Sequence, residues 1–199
     1  MPAMSAFEAR SCRSTPWRVT SRRVLSWAVQ GVPLEGDVLE IGGGSGAMAG
    51  HLLRLHPLLR LTVTDHDPAM VDAARERLGK LAQVTVRQAD ATHLPFAGEA
   101  FDAVLSFLML HHVIDWEQAI AEVSRVLRPG GTFVGYDLTR SRAASWLHRV
   151  DRSPHRLIQR QALEPALAHA GLRATHLRDS LGGRIVRFVA HKHESPSES

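Results

Sequence analysis

"VLEIGGGSGAMAGHLL", residues Val38 to Leu53, is the stretch that decides the fold. Val38–Ile41 is a short apolar run with the length of a buried strand. Ala47 to Leu55 has helical periodicity and ends before Pro57. Between them Gly42, Gly43, Gly44 and Gly46 let the backbone approach something closely. Gly42, Gly44 and Ala47 satisfy G-x-G-x-x-G/A between a strand and a helix, so a nucleoside-bearing ligand is expected there. In this reading all four glycines keep side chains out of the ligand's path.

The flanking sequence repeats the strand-then-helix rhythm. Leu61–Thr64 is a second β-branched strand, and Pro68 opens a helix through Leu78 as a favourable first-turn residue. Val84–Arg87 and Ala103–Ser106 supply a third and a fourth strand. Asp115 is expected to cap a helix through Leu127; Pro129-Gly130-Gly131 then turns the chain into a fifth strand, Thr132–Tyr136. Upstream, Arg18 to Gln30 reads as a helix stopped by Gly31 and Pro33. Downstream, Leu163–Ala170 is helical despite Pro165, Gly171 closes it, and Ala174–Leu177 and Ile185–Ala190 form a strand pair joined through Gly182-Gly183. Such alternation predicts an α/β, doubly wound, mostly parallel sheet with helices on both faces and a ligand site beyond the carboxyl ends of the strands.

Composition bounds the class. A length of 199 residues with 44% apolar content suits one α/β domain with a single core. We expect a segment with a cap helix over 1–35, the ligand-binding domain over 36–192, and a disordered tail over 193–199, where "ESPSES" closes the chain. No apolar run approaches the roughly 18 residues of a membrane span. The lone Cys12 excludes an internal disulfide framework. A cytoplasmic protein without a membrane partner is therefore expected. The formal net charge is +4, with arginines gathered at residues 10–23 and 140–160. They are interleaved with apolar residues and read as solvated helix faces, which argues against a nucleic-acid partner. Twelve histidines are scattered without metal-ligand spacing, so no metal is expected.

Acidic residues select the ligand. Asp65 ends the second strand, where a carboxylate can accept hydrogen bonds from both hydroxyls of a ribose. Glu40, two residues before the first glycine, would repel a pyrophosphate and suits a ligand carrying an ammonium or sulfonium group. "QADATHLPF" follows the third strand and puts Asp90 where it could accept from an adenine amino group or cap the following turn.

Glycine loop, Asp65, "DATHLPF", "FDAVLS" and "LRPGG", in this order and spacing, make the sequence resemble the class I S-adenosylmethionine-dependent methyltransferases in their small single-domain form. The resemblance runs from Val38 to about Leu138. It implies a Rossmann-like sheet of about seven strands, the last antiparallel. It implies S-adenosyl-L-methionine as cofactor and S-adenosyl-L-homocysteine as product. Glu40, Gly42, Gly43, Gly44 and Gly46 would line the methionine and ribose, Asp65 would grip the ribose, and His66 would flank the adenine. Asp90 and the Ala91 amide would read the adenine edge, and Ser106 and Phe107 would border the methionine. Asp67 stands where the family often has a small polar residue, which leaves two acids to choose from at the ribose. Asp102 and the "LRPGG" turn are read as structural.

Methyl transfer from a sulfonium is an in-line displacement, for which positioning alone can suffice. If the acceptor carries a proton, His111 is the candidate base, with His112, Tyr136 and Asp137 behind it. The short inter-strand insertions favour a small-molecule acceptor, held by the N-terminal segment and by the stretch after the fifth strand that contains Trp146. Arg18–Gln30 could cover the pocket or pair two subunits, so monomer and homodimer both stand. Two other functions share the motif: a nicotinamide-dependent oxidoreductase, opposed by Glu40, Asp90 and the lack of a Tyr-x-x-x-Lys pair, and a cofactor-binding domain without turnover.

Overall fold

The computed structural model describes residues 23–139 and 155–194. The N-terminal segment through residue 22 with Cys12, the first turn of the expected Arg18–Gln30 helix, Trp146 with most of the second arginine cluster, and the tail from 195 lie outside the described residues.

One seven-stranded sheet organises the chain, in the order β3-β2-β1-β4-β5-β7-β6. The strands are β1 (Asp37–Ile41), β2 (Arg60–Asp65), β3 (Val84–Gln88), β4 (Phe101–Phe107), β5 (Leu127–Leu138), β6 (Leu172–Ser180) and β7 (Ile185–Lys192). The first five are mutually parallel, and β7 runs antiparallel between β5 and β6. The helices are α1 (23–28), α2 (Ala47–Leu55), α3 (Pro68–Leu78), α4 (Trp116–Val126) and α5 (Arg160–His169). This is the expected doubly wound architecture. Among the described residues no helix is long and apolar enough to cross a membrane.

Both faces of the sheet are covered, which is why its central strands read as continuous apolar runs rather than alternating ones. Val38, Ala103, Leu105 and Val134 pack with Leu25, Met48, Leu52 and Leu78 of α1, α2 and α3. Leu39, Ile41, Val104 and Phe133 pack on the other face with Ile120, Val123, Leu163 and Leu167 of α4 and α5. The chain winds outward through β2 and β3, then returns to place β4 on the other side of β1. The loops after β1 and β4 therefore diverge and open a crevice at the carboxyl ends of the strands.

Several element boundaries differ from expectation. Strand β5 begins at Leu127, directly after α4, and Leu127 pairs with Phe101 across a register shift that takes up Pro129-Gly130-Gly131. The turn residues are thus a bulge within the strand. Strand β6 extends from Leu172 to Ser180; exposed Arg173, Thr175 and Arg178 on this edge strand mask its length in the sequence. Asp115 precedes α4 through its carbonyl, which accepts from Gln118 and Ala119, but its carboxylate makes no capping bond.

Asp102 is structural, as expected. It accepts from the Asp37 amide at 2.7 Å and pairs with Arg128 at 2.6 Å. Arg128 and Arg60 both reach Asp37, so one ionic network ties together the amino ends of β1, β2, β4 and β5. That network lies at the far end of the sheet from the crevice.

Candidate active site

The four glycines turn out to have different reasons. A Cβ on Gly42 would fall inside the Met109 side chain, one on Gly43 inside Val63, and one on Gly46 at 2.7 Å from Leu78 Cδ1. Three of them are therefore set by close packing, which corrects the expectation that all four clear a ligand's path. Of the four, only Gly44 has nothing among the described residues within 4 Å of its missing Cβ, and its φ of +55° is a conformation that favours glycine. Gly46, also left-handed, caps α2 without a side-chain bond, so the helix amino terminus faces the loop.

Two carboxylates converge on this loop from neighbouring strands. Asp65 at the end of β2 accepts from the Gly44 amide through Oδ2 at 2.8 Å and from the Asp67 amide through Oδ1 at 2.9 Å. A carboxylate has about four acceptor positions, so both oxygens retain capacity for hydroxyl donors. Burial pushes the Asp65 carboxyl above its ordinary range, and those two amide bonds work against the shift. Asp67 is the side-chain cap of α3, accepting from the Ala69 amide at 2.8 Å. This use of Asp67 leaves Asp65 as the acid that faces the loop.

Glu40 is 2% exposed, and its Oε2 has no hydrogen-bond partner among the described residues. Burial, reinforced by the charge of Asp65, raises its carboxyl to about 8. A buried carboxylate without donors is costly, and it points to a group supplied from outside the chain.

Asp90 lies just past β3 and accepts from both the amide and the hydroxyl of Thr92 through Oδ1, at 2.8 and 2.7 Å. It does cap its turn. Its carboxyl lies below the ordinary range: burial opposes this, and the Thr92 bonds favour it. Ala91 is buried, and His66 is half-buried with its carbonyl accepting from Gln88 Nε2 at 2.9 Å. The following loop is clamped by two residues of α4 that sequence reading missed. Glu122 accepts from the Leu94 amide at 2.8 Å, and Arg125 donates to the carbonyls of Phe96 at 2.8 Å and Leu94 at 2.9 Å. An i,i+3 Glu–Arg pair was visible in "AEVSRV"; its target nearly thirty residues upstream was not.

Beyond β4, Ser106 is fully buried with Oγ unpartnered among the described residues, and Phe107 stacks on Tyr136 with ring centroids 5.5 Å apart. Leu108 then adopts φ +54°, a strained conformation for a branched side chain. That reversal brings Met109 against Gly42 and leads into a single 3-10 turn, Leu110–His112. His111 is 2% exposed, and its Nδ1 meets Asp137 Oδ1 at 2.5 Å. Asp137 is fully buried at the end of β5 and also accepts from the amides of Leu110 at 2.7 Å and Leu138 at 2.6 Å. The sequence offered His111 and Asp137 as separate candidates; the fold joins them into one unit. Tyr136 points to the opposite face, as consecutive strand residues must.

A family model described as "Methyltransferase domain" matches residues 39–135. A malonyl-[acyl-carrier protein] O-methyltransferase from Geobacter sulfurreducens is 33% identical over 153 residues, 71% of this chain and 57% of that protein. A ubiquinone/menaquinone biosynthesis C-methyltransferase from Desulfotalea psychrophila is 36% identical over 56% of this chain and 45% of its own length. The chain thus spans about half the length of these curated relatives. Among solved structures, a SAM dependent methyltransferase from Aquifex aeolicus superposes with a TM-score of 0.74 at 19% identity, covering 95% of this chain and 99% of its own.

Proposed function

The chain belongs to the class I S-adenosylmethionine-dependent methyltransferase family, and we propose that it moves the methyl group of S-adenosyl-L-methionine to a small-molecule acceptor. The observation that carries this reading is the pair of buried acids, Glu40 beside Gly43 and Asp65 on the Gly44 amide, at a loop whose Gly44 Cβ position is open among the described residues. The donor set fits a zwitterionic, nucleoside-bearing ligand. Glu40 Oε2 supplies an acceptor for an ammonium, the uncapped amino end of α2 supplies amides for a carboxylate, and Asp65 supplies acceptors for ribose hydroxyls.

When bound, S-adenosylmethionine supplies a methyl carbon already activated by its sulfonium. The residues of the chain then need only bind, orient and, for a protonated acceptor, remove a proton. Asp65 fixes the loop through Gly44, and Asp67 fixes the start of α3 beside it. Ser106 and Phe107 border the methionine from β4. The loop clamped by Glu122 and Arg125 supports Asp90 and Ala91 at the adenine edge. With Nδ1 held by Asp137, His111 is oriented to receive the acceptor's proton through Nε2. The domain doing this work is 36–192.

The relatives bracket the acceptor chemistry widely: one is named for O-methylation of a malonyl group on a carrier protein, the other for C-methylation in quinone biosynthesis. Calorimetric titration with S-adenosylmethionine and S-adenosylhomocysteine, with NADH as control, tests the reading on wild type and on Asp65→Asn. Micromolar binding of both sulfur ligands, weakened in the variant, is expected. Binding of NADH in their place overturns it.

A further inference from the structure

We propose that Arg156 is a positioning residue for His111: it fastens the turn that carries the imidazole, so that the ring stays seated on Asp137 while a proton is taken up. The proposal rests on the reading of His111 as the base for a protonated acceptor.

The need for it begins in the turn itself. Leu110–His112 is a single 3-10 turn, and hydrogen bonds of that kind are too poorly aligned to fix a side chain's direction alone. The carbonyls of His111 and Ile114, at the exit of the turn, are both taken by one residue from far along the chain. The Arg156 amide donates to the His111 carbonyl at 2.8 Å, and its Nη1 donates to the Ile114 carbonyl at 2.9 Å. The same guanidinium grips both oxygens of Glu117, in the first turn of α4, at 2.5 and 2.7 Å. It also lies 5.5 Å from the centre of the buried Trp116 ring. One arginine thus holds the chain from His111 to Glu117 at four points.

The same stretch reaches the other half of the pair. Two residues on, fully buried Ile158 forms a parallel bridge with Thr139, which follows Asp137 by two residues. Residues 156–158 therefore tie the His111 turn to the strand end that carries Asp137. Asp137 holds the ring through Nδ1 and the start of the turn through the Leu110 amide. Arg156 holds the exit.

Stability alone does not account for this concentration of contacts. The side chains of Arg156 and Glu117 are 48% and 44% exposed, and an ion pair that open to water contributes little to folding. A lysine would match the charge, but only a guanidinium donates in one plane to a carboxylate and to a neighbouring carbonyl.

The test follows the His111 Nδ1–H proton by NMR on the full chain saturated with S-adenosylhomocysteine, the signal being assigned by its loss in His111→Gln. Its exchange with water should be slow in wild type. Arg156→Met keeps the amide and the apolar stem; it should speed that exchange about tenfold while the thermal unfolding midpoint moves little. Arg156→Lys, which keeps a cation beside Trp116, should recover part of the protection. Glu117→Gln should give a smaller acceleration, from the α4 side. Unchanged Nδ1–H exchange in Arg156→Met overturns the proposal. So does loss of the native fold in that variant, or equal acceleration across the amides of β1 and β4, since either makes Arg156 a structural residue only. S-adenosylhomocysteine binding to wild type is measured first by calorimetry: its absence removes the methyl-transfer reading, whereas its presence with unchanged exchange removes this proposal alone.

Discussion

Met109 occupies the space that a side chain on Gly42 would need, whereas the corresponding space over Gly44 is open. Two glycines of one loop thus serve different ends, and alanine separates them. Gly42→Ala forces a Cβ into a buried thioether side chain at φ +64° and should destabilise the fold by roughly 2–4 kcal/mol. Gly44→Ala meets no atom of the described residues, carries only the backbone strain of its φ, about 1 kcal/mol, and should instead weaken S-adenosylhomocysteine. Thermal unfolding and calorimetry on both variants decide; a Gly44→Ala variant with wild-type affinity would remove Gly44 from the site.

Glu40 should make both stability and ligand binding depend on pH. Its carboxyl is raised from the ordinary 4.5 to about 8, so the native state holds a proton that the unfolded chain releases across that interval. Stability of the ligand-free protein is then full below the unfolded value, falls as pH rises towards 8, and levels above it. At roughly 1.4 kcal/mol per pKa unit the loss reaches a few kcal/mol. A cationic ligand prefers the ionised form, so its affinity should rise with pH up to about 8. Glu40→Gln should abolish both slopes, gain stability at alkaline pH and lose the cofactor. Denaturant titrations and calorimetry at pH steps across the interval measure this, and parallel slopes in wild type and variant would contradict it.

Asp137 receives three N–H donors, from Leu110, Leu138 and His111. Asn at this position turns one acceptor into a donor that must face one of them. Asp137→Asn should cost roughly 3–5 kcal/mol, because a buried hydrogen-bonded partner is lost. It should also shift the His111 ring to its other tautomer, visible in the imidazole nitrogen chemical shifts. An unchanged tautomer would separate His111 from Asp137 as a functional unit.

Arg125 holds the loop that follows Asp90 by two carbonyls, at Leu94 and Phe96. Its guanidinium is partly exposed, so the stability cost of Arg125→Ala should stay near 1 kcal/mol. Loosening of the loop behind Asp90 should nonetheless lower S-adenosylhomocysteine affinity by up to about tenfold. Equilibrium unfolding set beside calorimetry separates the two effects, and unchanged affinity would make the clamp purely structural.

The helices α2 and α3 were legible to the residue because the glycine loop, Pro57 and Pro68 punctuate the sequence around them, whereas the Asp67 cap of α3 was not read. The glycine loop and Asp65 were legible because their spacing is fixed by one strand-loop-helix unit. What could not be read arises between elements distant in sequence. The packing of Gly42 on Met109 and of Glu122 and Arg125 on Leu94 are of this kind. The joining of His111 to Asp137 across β4 and β5 is another. Strand β6 was read short for a different reason: an edge strand buries one face only, and its arginines resemble a loop.

Arg187 is buried on β7, and both its hydrogen bonds go to carbonyls at the end of α1, more than 150 residues earlier. Cations stabilise helix carboxyl ends, and here one arginine also ties that helix to the sheet. Arg187→Met fills a similar volume but leaves the Ala28 and Gln30 carbonyls without donors, at a cost of roughly 1–3 kcal/mol. The loss should be local. Amide exchange should accelerate over residues 25–32, where the Val29 and Val32 amides are hydrogen-bonded within this turn, while the amides of β1 and β4 keep their protection. Arg187→Lys, with one donor group reaching the same carbonyls, should recover part of it. Because Trp27 rides on α1, Arg187→Met should also shift the fluorescence of that tryptophan without changing S-adenosylhomocysteine affinity. Exchange that accelerates equally across the sheet would show instead that Arg187 supports the whole core.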